Sequence, residues 1–251
     1  MHKPFQFEKK FEVLSFQIDP SGQLRWASLA DLLQEVAWKH ADSRDFGKVL
    51  FEKGYMWVLS RFEIEVKKQP SWGETIKIET AGRGINKLFA LREFRVTDKK
   101  GEVLAVAMSA WLLLDVKTKR PQRPSLVLPS ELFETEPSEY AVPDKIPGPS
   151  QPISGKAFMV NYSDLDMNNH VNNVSYIRWI EDFCLDKGFV FDRFGINYLN
   201  EALLGEHIEI LFSLDAQKML VSGRSGNRDV FTSWVEKLNG KGCINKKLSD
   251  S

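Results

Sequence analysis

The sequence predicts an α+β fold made of two similar units, each with one long helix and one antiparallel sheet. Three features recur in the same order along the chain: an apolar stripe with helical spacing, a Gly-Glu pair before a strand, and a strand with a tryptophan. Each match alone is weak. Because chance would not preserve all three in order, we interpret the chain as one unit present twice.

The apolar stripes predict one helix in each unit. Apolar residues at i, i+3, i+4, i+7 and i+8 line one face of an α-helix and indicate that this face is buried. The stripes consist of Leu29, Leu32, Leu33, Val36 and Ala37 in the first unit and of Tyr176, Trp179, Ile180, Phe183 and Cys184 in the second. Every member is displaced by 147 positions, so we expect the two helices to be equivalent.

The other two features follow the helix in each unit. The Gly-Glu pair that begins at Gly73 matches the pair that begins at Gly205, displaced by 132 positions. Trp111 matches Trp234, displaced by 123 positions. Because the displacement decreases along the chain, the first unit has the longer connections.

Segments rich in β-branched and aromatic residues follow each helix and predict strands. They are residues 57–66, 75–81, 88–97 and 103–114 in the first unit and residues 207–213, 218–223 and 230–238 in the second. The alternating helices of a doubly wound fold are absent from the pattern. With one helix for each sheet, we expect each sheet to wrap around its helix, which is a tandem (double) hot-dog fold.

The chain divides into four predicted segments. They are an N-terminal hot-dog half at residues 1–125, a proline-rich linker at residues 126–153, a C-terminal hot-dog half at residues 154–240 and a flexible tail at residues 241–251. Eight prolines fall between residues 119 and 153. Because proline has no N–H to donate to a strand ladder, this composition favours a connection that runs over the surface.

The composition excludes several classes of function. Basic and acidic residues number 34 each, so no overall field attracts nucleic acid or a membrane surface. The two cysteines make no disulfide framework, and neither has metal-ligand spacing. The first ten residues hold no apolar leader, and the longest apolar run, residues 110–114, is too short to cross a bilayer. We expect a cytoplasmic protein that needs no metal and does not insert into membranes.

A polar segment just before the second helix carries the candidate chemistry. In an extended segment Asp166, Asn168 and His170 would share one face, because side chains alternate with period two. The amide can orient a carbonyl or a water, and the imidazole can transfer a proton near neutral pH. Unpaired N–H groups near Asn172 and Asn173 can stabilise an oxyanion. The alternative is a loop that only caps the helix, since Asn and Asp are favoured there.

The first unit serves as an internal control for this segment. At the positions equivalent to Asp166, Asn168 and His170 it carries an aspartate, a serine and a glutamine, numbered Asp19, Ser21 and Gln23. It keeps the aspartate but lacks the asparagine and the histidine. We therefore expect the second half to be catalytic and the first half to be a degenerate site with another purpose.

Residues 164–174, DLDMNNHVNNV, closely resemble the signature of acyl-acyl-carrier-protein (acyl-ACP) thioesterases of plant plastids and bacteria. The first half resembles the same family at residues 57–61, WVLSR, and at residues 109–111, SAW, with Asp115 and Arg120-Pro121 following. The resemblance extends from about residue 7 to about residue 238. It implies the tandem hot-dog fold that the internal repeat also predicts.

The resemblance also implies a set of site residues. The catalytic residues that it carries over are Asp166, Asn168, His170 and Glu201. Plant members commonly have a cysteine directly after this glutamate, whereas this chain has Ala202. A Cys–His mechanism at this position is therefore unavailable, and Cys184 lies on the apolar helix stripe.

The function that the resemblance implies is hydrolysis of a fatty acyl-ACP thioester to free fatty acid and holo-ACP, with no cofactor. The first half would hold the acyl chain in an apolar pocket. Glu201, helped by His170, would activate a water, or Asp166 would attack the thioester directly and form a mixed anhydride. The sequence does not separate these two routes.

Three other functions remain open at this point. They are an acyl-CoA thioesterase of the same fold, a hot-dog hydratase or dehydratase, and an acyl-binding protein without hydrolytic activity. The expected partner is acyl carrier protein with a fatty acyl chain, and nucleic acid is not expected to bind. The sequence leaves open the chain-length preference and whether the chain forms a homodimer.

Overall fold

Two long α-helices of equivalent origin pack against each other at the centre of the computed structural model, which describes residues 5–128, 138, 141–215 and 217–237. Helix α1 spans Trp26–Asp42 and helix α4 spans Asn173–Asp186. Their first residues are 147 positions apart, as the two apolar stripes predict. All ten stripe residues are buried. The prediction of two equivalent helices is therefore confirmed.

In the described residues, ten strands of six or more residues build the two halves, five in each. Those of the first half are β1 (Phe7–Glu12), β2 (Tyr55–Val66), β3 (Thr75–Asn86), β4 (Phe89–Thr97) and β5 (Val103–Asp115). Those of the second half are β7 (Ile153–Met159), β8 (Arg193–Tyr198), β9 (His207–Leu214), β10 (Lys218–Ser225) and β11 (Arg228–Glu236). Three short elements, α2 (Lys48–Glu52), β6 (Pro121–Gln122) and α3 (Pro124–Val127), lie in the longer connections of the first half.

All strands belong to one antiparallel sheet in the order β1-β3-β4-β5-β2-β8-β11-β10-β9-β7, with β6 paired to β5. The order within the second half mirrors that within the first. The two halves meet where the equivalent strands β2 and β8 pair, with Phe62 opposite Ile196 and Ile64 opposite Phe194. The predicted α+β tandem hot-dog fold is confirmed, with the two halves joined sheet edge to sheet edge.

The sequence did not predict three of the ten strands, and their surroundings explain why. Strand β8 is buried along most of its length at the joint between the halves, so it lacks the alternation of a half-buried strand. Strand β7 is mostly exposed, and β1 holds only two apolar residues among charged ones. Because β1 and β7 lie at the outer edges of the sheet, charged and polar side chains are tolerated there.

The connection between the halves is partly described. Its residue Ile146 is attached to the second half, since its N–H donates to Asn197 Oδ1 at 2.7 Å and its carbonyl accepts from Thr232 Oγ1 at 3.0 Å. Most of residues 129–140 and the predicted tail at 241–251 lie outside the described residues. The segment boundaries therefore stay predictions. Within the described part of the chain, no helix combines the length and apolar character needed to span a membrane.

Candidate active site

The segment of Asp166, Asn168 and His170 is a turn, so the prediction of an extended segment with one shared face is wrong. Leu165 and Val171 form an isolated antiparallel bridge that brackets the turn. Inside it, Asp166 Oδ1 accepts the backbone N–H of Asn168 at 2.8 Å and that of His170 at 3.2 Å. These bonds satisfy backbone donors locally and replace the extended conformation.

The first half contains the same turn. Asp19 Oδ1 accepts the backbone N–H of Ser21 at 2.8 Å and that of Gln23 at 3.0 Å. Here too an isolated bridge brackets the turn, between Ile18 and Leu24. The aspartate therefore has a structural role in both halves. The two turns differ in that the second carries Asn168 and His170 where the first carries Ser21 and Gln23.

The structure brings His170 and Glu201 together. His170 Nε2 lies 3.2 Å from Glu201 Oε2, although 31 positions separate the two residues. The imidazole is 25% exposed and the carboxylate 57% exposed, so water reaches the pair. Arg228 holds the loop of Glu201, because its guanidinium donates to the Glu201 carbonyl and to both carboxylate oxygens of Glu206.

The other two members of the predicted group, Asp166 and Asn168, contact each other. Asn168 Nδ2 lies 3.4 Å from Asp166 Oδ2. His170 joins them through its backbone rather than through its ring. The four predicted residues therefore form two adjacent pairs, Asp166 with Asn168 and His170 with Glu201.

The start of helix α4 provides one free backbone donor next to this turn. Asn172 caps the helix, with its Oδ1 accepting the N–H of Val174 at 3.0 Å, and its own N–H donates to the carbonyl of Asp164. The N–H of Asn173 has no acceptor among the described residues. Tyr198 also holds this residue, since its hydroxyl donates to the Asn173 carbonyl at 3.1 Å. Of the two predicted oxyanion positions, only Asn173 has an N–H available.

A cavity of about 610 Å³ extends from this turn into the first half. The second half contributes Asp166, Met167, Asn168 and Asn172 to its lining, whereas His170 and Glu201 are not among the lining residues. The first half contributes aromatic and aliphatic side chains, among them Trp38, Phe46, Trp57, Leu91 and Trp111. An apolar cavity that ends at polar groups is the usual form of a site for an amphipathic small molecule.

Two buried polar side chains, His40 and Arg92, also belong to the cavity lining. Arg92 Nη1 lies 2.9 Å from His40 Nδ1 and 3.2 Å from the hydroxyl of Thr80. Burial, together with Arg92 and Arg44, lowers the pKa of His40 to about 3, and burial lowers the pKa of Arg92 to about 10. His40 is therefore a neutral acceptor for the Arg92 guanidinium at neutral pH.

Among the residues that the structure describes, no thiol takes part in this site. Cys184 is fully buried on helix α4, and burial raises the pKa of its thiol to about 12, so it carries no thiolate near neutral pH. Ala202, which follows Glu201, is also fully buried.

Reading the sequence missed the first-half residues of the site. Gln34 of helix α1 lines the cavity, and its Oε1 accepts from Asn173 Nδ2 at 3.3 Å. Arg92 lies on β4 and His40 at the end of α1. None of them belongs to a motif, because each reaches the site only through packing between distant elements. The one signal available was the position of Gln34 next to the apolar stripe of α1.

Comparison with known proteins gives the family. The family model described as acyl-ACP thioesterase N-terminal domain matches residues 4–127, and the model described as acyl-ACP thioesterase C-terminal domain matches residues 150–239. The chain belongs to the acyl-ACP thioesterase family. The family that the resemblance of residues 164–174 predicts is thereby confirmed.

Relatives in this family include plant enzymes. The chain is 31% identical over 198 residues to the chloroplastic oleoyl-acyl carrier protein thioesterase 1 of Arabidopsis thaliana, with 69% of this chain and 53% of the relative covered. It is 24% identical to the chloroplastic dodecanoyl-[acyl-carrier-protein] hydrolase of Cinnamomum camphora, with 93% and 64% covered. The chain thus spans about half the length of the first of these relatives and about two thirds of the second.

Solved structures of the acyl-ACP thioesterase family have the same fold. An acyl-ACP thioesterase from Bacteroides thetaiotaomicron superposes with a TM-score of 0.82 and 29% identity, over 91% of this chain and 96% of that one. The 12:0-ACP thioesterase from Umbellularia californica superposes with a TM-score of 0.75 and 23% identity, over 92% and 96%.

Proposed function

We propose that this chain hydrolyses fatty acyl-ACP thioesters and releases free fatty acid and holo-ACP. The observation that carries the proposal is the cavity, which meets the turn of Asp166 and Asn168 and the start of helix α4 in one place. An acyl chain would lie along the aromatic and aliphatic wall of the first half, with its thioester at the turn. Membership of the acyl-ACP thioesterase family and the names of the relatives support this substrate class.

In the proposed reaction Glu201 and His170 act as the base that removes a proton from water. The water oxygen bonds to the thioester carbonyl carbon, and the N–H of Asn173 stabilises the resulting oxyanion. The carbon–sulfur bond then breaks, and the sulfur leaves as a thiol with the proton from His170. Asn168 orients the carbonyl or the water.

A covalent route through Asp166 competes with direct attack by water. Asp166 lines the cavity, which favours contact with substrate, but its Oδ1 already accepts two backbone N–H groups. A single turnover in oxygen-18 water separates the two routes. We expect the label in the fatty acid and none in the enzyme, and label in the Asp166 carboxylate would overturn the direct-water route.

The activity is tested by turnover of a panel of acyl-ACP thioesters that differ in chain length. We expect His170→Ala and Glu201→Ala to lower kcat by roughly 10²- to 10⁴-fold, the usual contribution of a general acid–base group. His207, which is exposed at the start of β9, provides the matched control, and His207→Ala should retain wild-type turnover. Full activity of His170→Ala would contradict the site assignment.

The same panel tests the substrate carrier. If acyl-CoA is turned over faster than acyl-ACP in a competition assay, CoA replaces ACP as the proposed carrier of the acyl group. If the protein binds acyl groups but does not hydrolyse the thioester, it is an acyl-binding protein. The relatives are named for oleoyl, palmitoyl and dodecanoyl substrates, and these acyl groups differ in length. The acyl chain length that this chain prefers therefore has to be measured with the panel. The cytoplasmic location expected from the sequence also stays a prediction, and the plant relatives are named chloroplastic.

A further inference from the structure

The N-terminus of each long helix faces one side chain from the other helix. Trp26 begins α1 and Asn173 begins α4, at equivalent positions of the two halves. Glu181 of α4 reaches the start of α1, and Gln34 of α1 reaches the start of α4. Positions 34 and 181 are also displaced by 147, so the two contacts are related by the same internal repeat. The repeat keeps the pairing of the two helices, but the carboxylate of Glu181 accepts backbone N–H groups whereas the amide of Gln34 accepts a side-chain N–H.

At the start of α1 the carboxylate of Glu181 occupies the backbone donors. Its Oε1 accepts the N–H of Trp26 at 3.0 Å and its Oε2 accepts the N–H of Ala27 at 3.2 Å. The side chain of Arg25, the residue at the cap position, makes no capping hydrogen bond, so Glu181 takes this role. An anion at the positive end of a helix is favourable. The donors that could stabilise an oxyanion in the first half are therefore already used.

At the start of α4 the equivalent side chain is neutral. Gln34 Oε1 accepts from the side-chain amide of Asn173, and the backbone N–H of Asn173 has no acceptor among the described residues. Gln34 lines the cavity together with Asp166, Asn168 and Asn172. The cap residue Asn172, directly before Asn173, thus lies at the polar end of the cavity, and among the described residues no carboxylate accepts the N–H of Asn173.

We propose that Gln34 of the first half is a positioning residue of the thioesterase site in the second half. Its amide holds the side chain of Asn173, and its neutrality keeps the backbone N–H of Asn173 free for the thioester oxygen. The catalytic half is then incomplete without helix α1 of the other half. This inference rests on the proposed function, since it assigns a role within the same site.

The substitution Gln34→Glu tests the proposal, because it keeps the shape of the side chain and adds the charge that Glu181 carries at the equivalent position. We expect the new carboxylate to accept the backbone N–H of Asn173. The variant should fold, since a carboxylate is accommodated at the start of α1, although at α4 only the N–H of Asn173 remains for it because Asn172 already accepts the N–H of Val174. Its kcat on acyl-ACP should fall by roughly 10²- to 10³-fold, the usual effect of losing one oxyanion donor, with a smaller change in KM.

Two further variants separate positioning from folding. Gln34→Met keeps the length and neutrality but loses the hydrogen bond, so its kcat should lie between that of wild type and that of Gln34→Glu. Glu181→Gln removes the anion from α1 and should lower the free energy of unfolding while kcat stays at the wild-type value. If the fall in kcat were proportional to the fall in the free energy of unfolding across all three variants, the proposal would be overturned.

The outcomes for the function and for this inference are distinguishable. A wild-type protein without turnover of any acyl thioester would defeat the proposed function. Wild-type kcat in Gln34→Glu would defeat only the role of Gln34. A crystal structure of Gln34→Glu gives a readout without activity: the introduced carboxylate within hydrogen-bond distance of the Asn173 N–H supports the proposal, and a carboxylate turned away from it overturns the proposal.

Discussion

His40 links burial in the cavity wall to stability at acid pH. Its pKa is lowered to about 3 by burial and by Arg92 and Arg44, whereas an unperturbed histidine has a pKa of 6.5. Below pH 6.5 the unfolded chain therefore binds a proton at this residue that the folded chain does not bind. The stability present above that pH is lost as the pH falls towards the folded pKa. At about pH 5 the loss is about 2 kcal/mol.

We expect the variant His40→Gln to lose less free energy of unfolding than wild type between about pH 7 and about pH 5. Glutamine offers Arg92 an acceptor but takes up no proton in this range. Urea unfolding followed at several pH values measures the difference. The exposed His207 is the matched control, because His207→Gln should keep the wild-type slope. Equal slopes for His40→Gln and wild type would contradict this account.

Some residues of the candidate site could be predicted from the sequence and others could not. Glu201 was found through the family resemblance, and its 3.2 Å contact with His170 supports that choice. Gln34 and Arg92 could not be found, because their roles arise from packing between elements far apart in the chain. The alternation assumed for residues 166–170 failed because a carboxylate can close a turn on its own backbone.

At the scale of elements, the turn before each helix gives aspartate the same structural role in both halves, and a catalytic role is proposed only for Asp166. Asp19 and Asp166 accept corresponding backbone N–H groups, at Ser21 and Gln23 in one half and at Asn168 and His170 in the other. Only the second turn lines the cavity. The first turn is thus a built-in control for the second.

We expect Asp19→Ala and Asp166→Ala to lower the free energy of unfolding by similar amounts, about 1 to 2 kcal/mol, the usual loss when a capping side chain is removed. Asp19→Ala should retain wild-type kcat, whereas Asp166→Ala should lose most of its turnover. Urea unfolding and turnover of one acyl-ACP substrate measure both effects. Equal kcat values in the two variants would show that Asp166 only closes its turn.

The helices and most central strands could be predicted because their apolar patterns have a clear period. The joining strand β8 could not, since burial along most of its length removes the alternation. The cap of α1 was also unpredictable: it comes from Glu181, which lies 155 positions after Trp26.

At the scale of the whole molecule, the two halves share one core. The centroid of the Trp26 ring in the first half lies 4.7 Å from the ring centroid of Phe191 and 6.2 Å from that of Phe194 in the second half. The sheet continues through the pairing of β2 with β8. Separating the halves would expose these rings and two unpaired strand edges, which is unfavourable in water. We therefore expect both halves to unfold in one cooperative transition.

Gly195 on β8 provides a test of this shared core. A Cβ atom at this position would lie 2.5 Å from the Trp234 ring, so Gly195→Ala forces the ring to move. We expect a loss of about 1 to 3 kcal/mol, typical of overpacking, in a transition that circular dichroism and tryptophan fluorescence report at one midpoint. Gly148→Ala, with no atom within 4 Å of its Cβ, should leave that midpoint unchanged. Two separate midpoints would contradict the shared core.

The fusion of the halves also changes what a single mutation can do. In a symmetric homodimer every substitution appears at two related places, so a change that helps one site alters the other in the same way. In the fused chain each half mutates independently, and position 34 can hold an amide while position 181 holds a carboxylate. One helix start can thus be stabilised by an internal anion while the other stays open, a combination that two identical subunits could not encode.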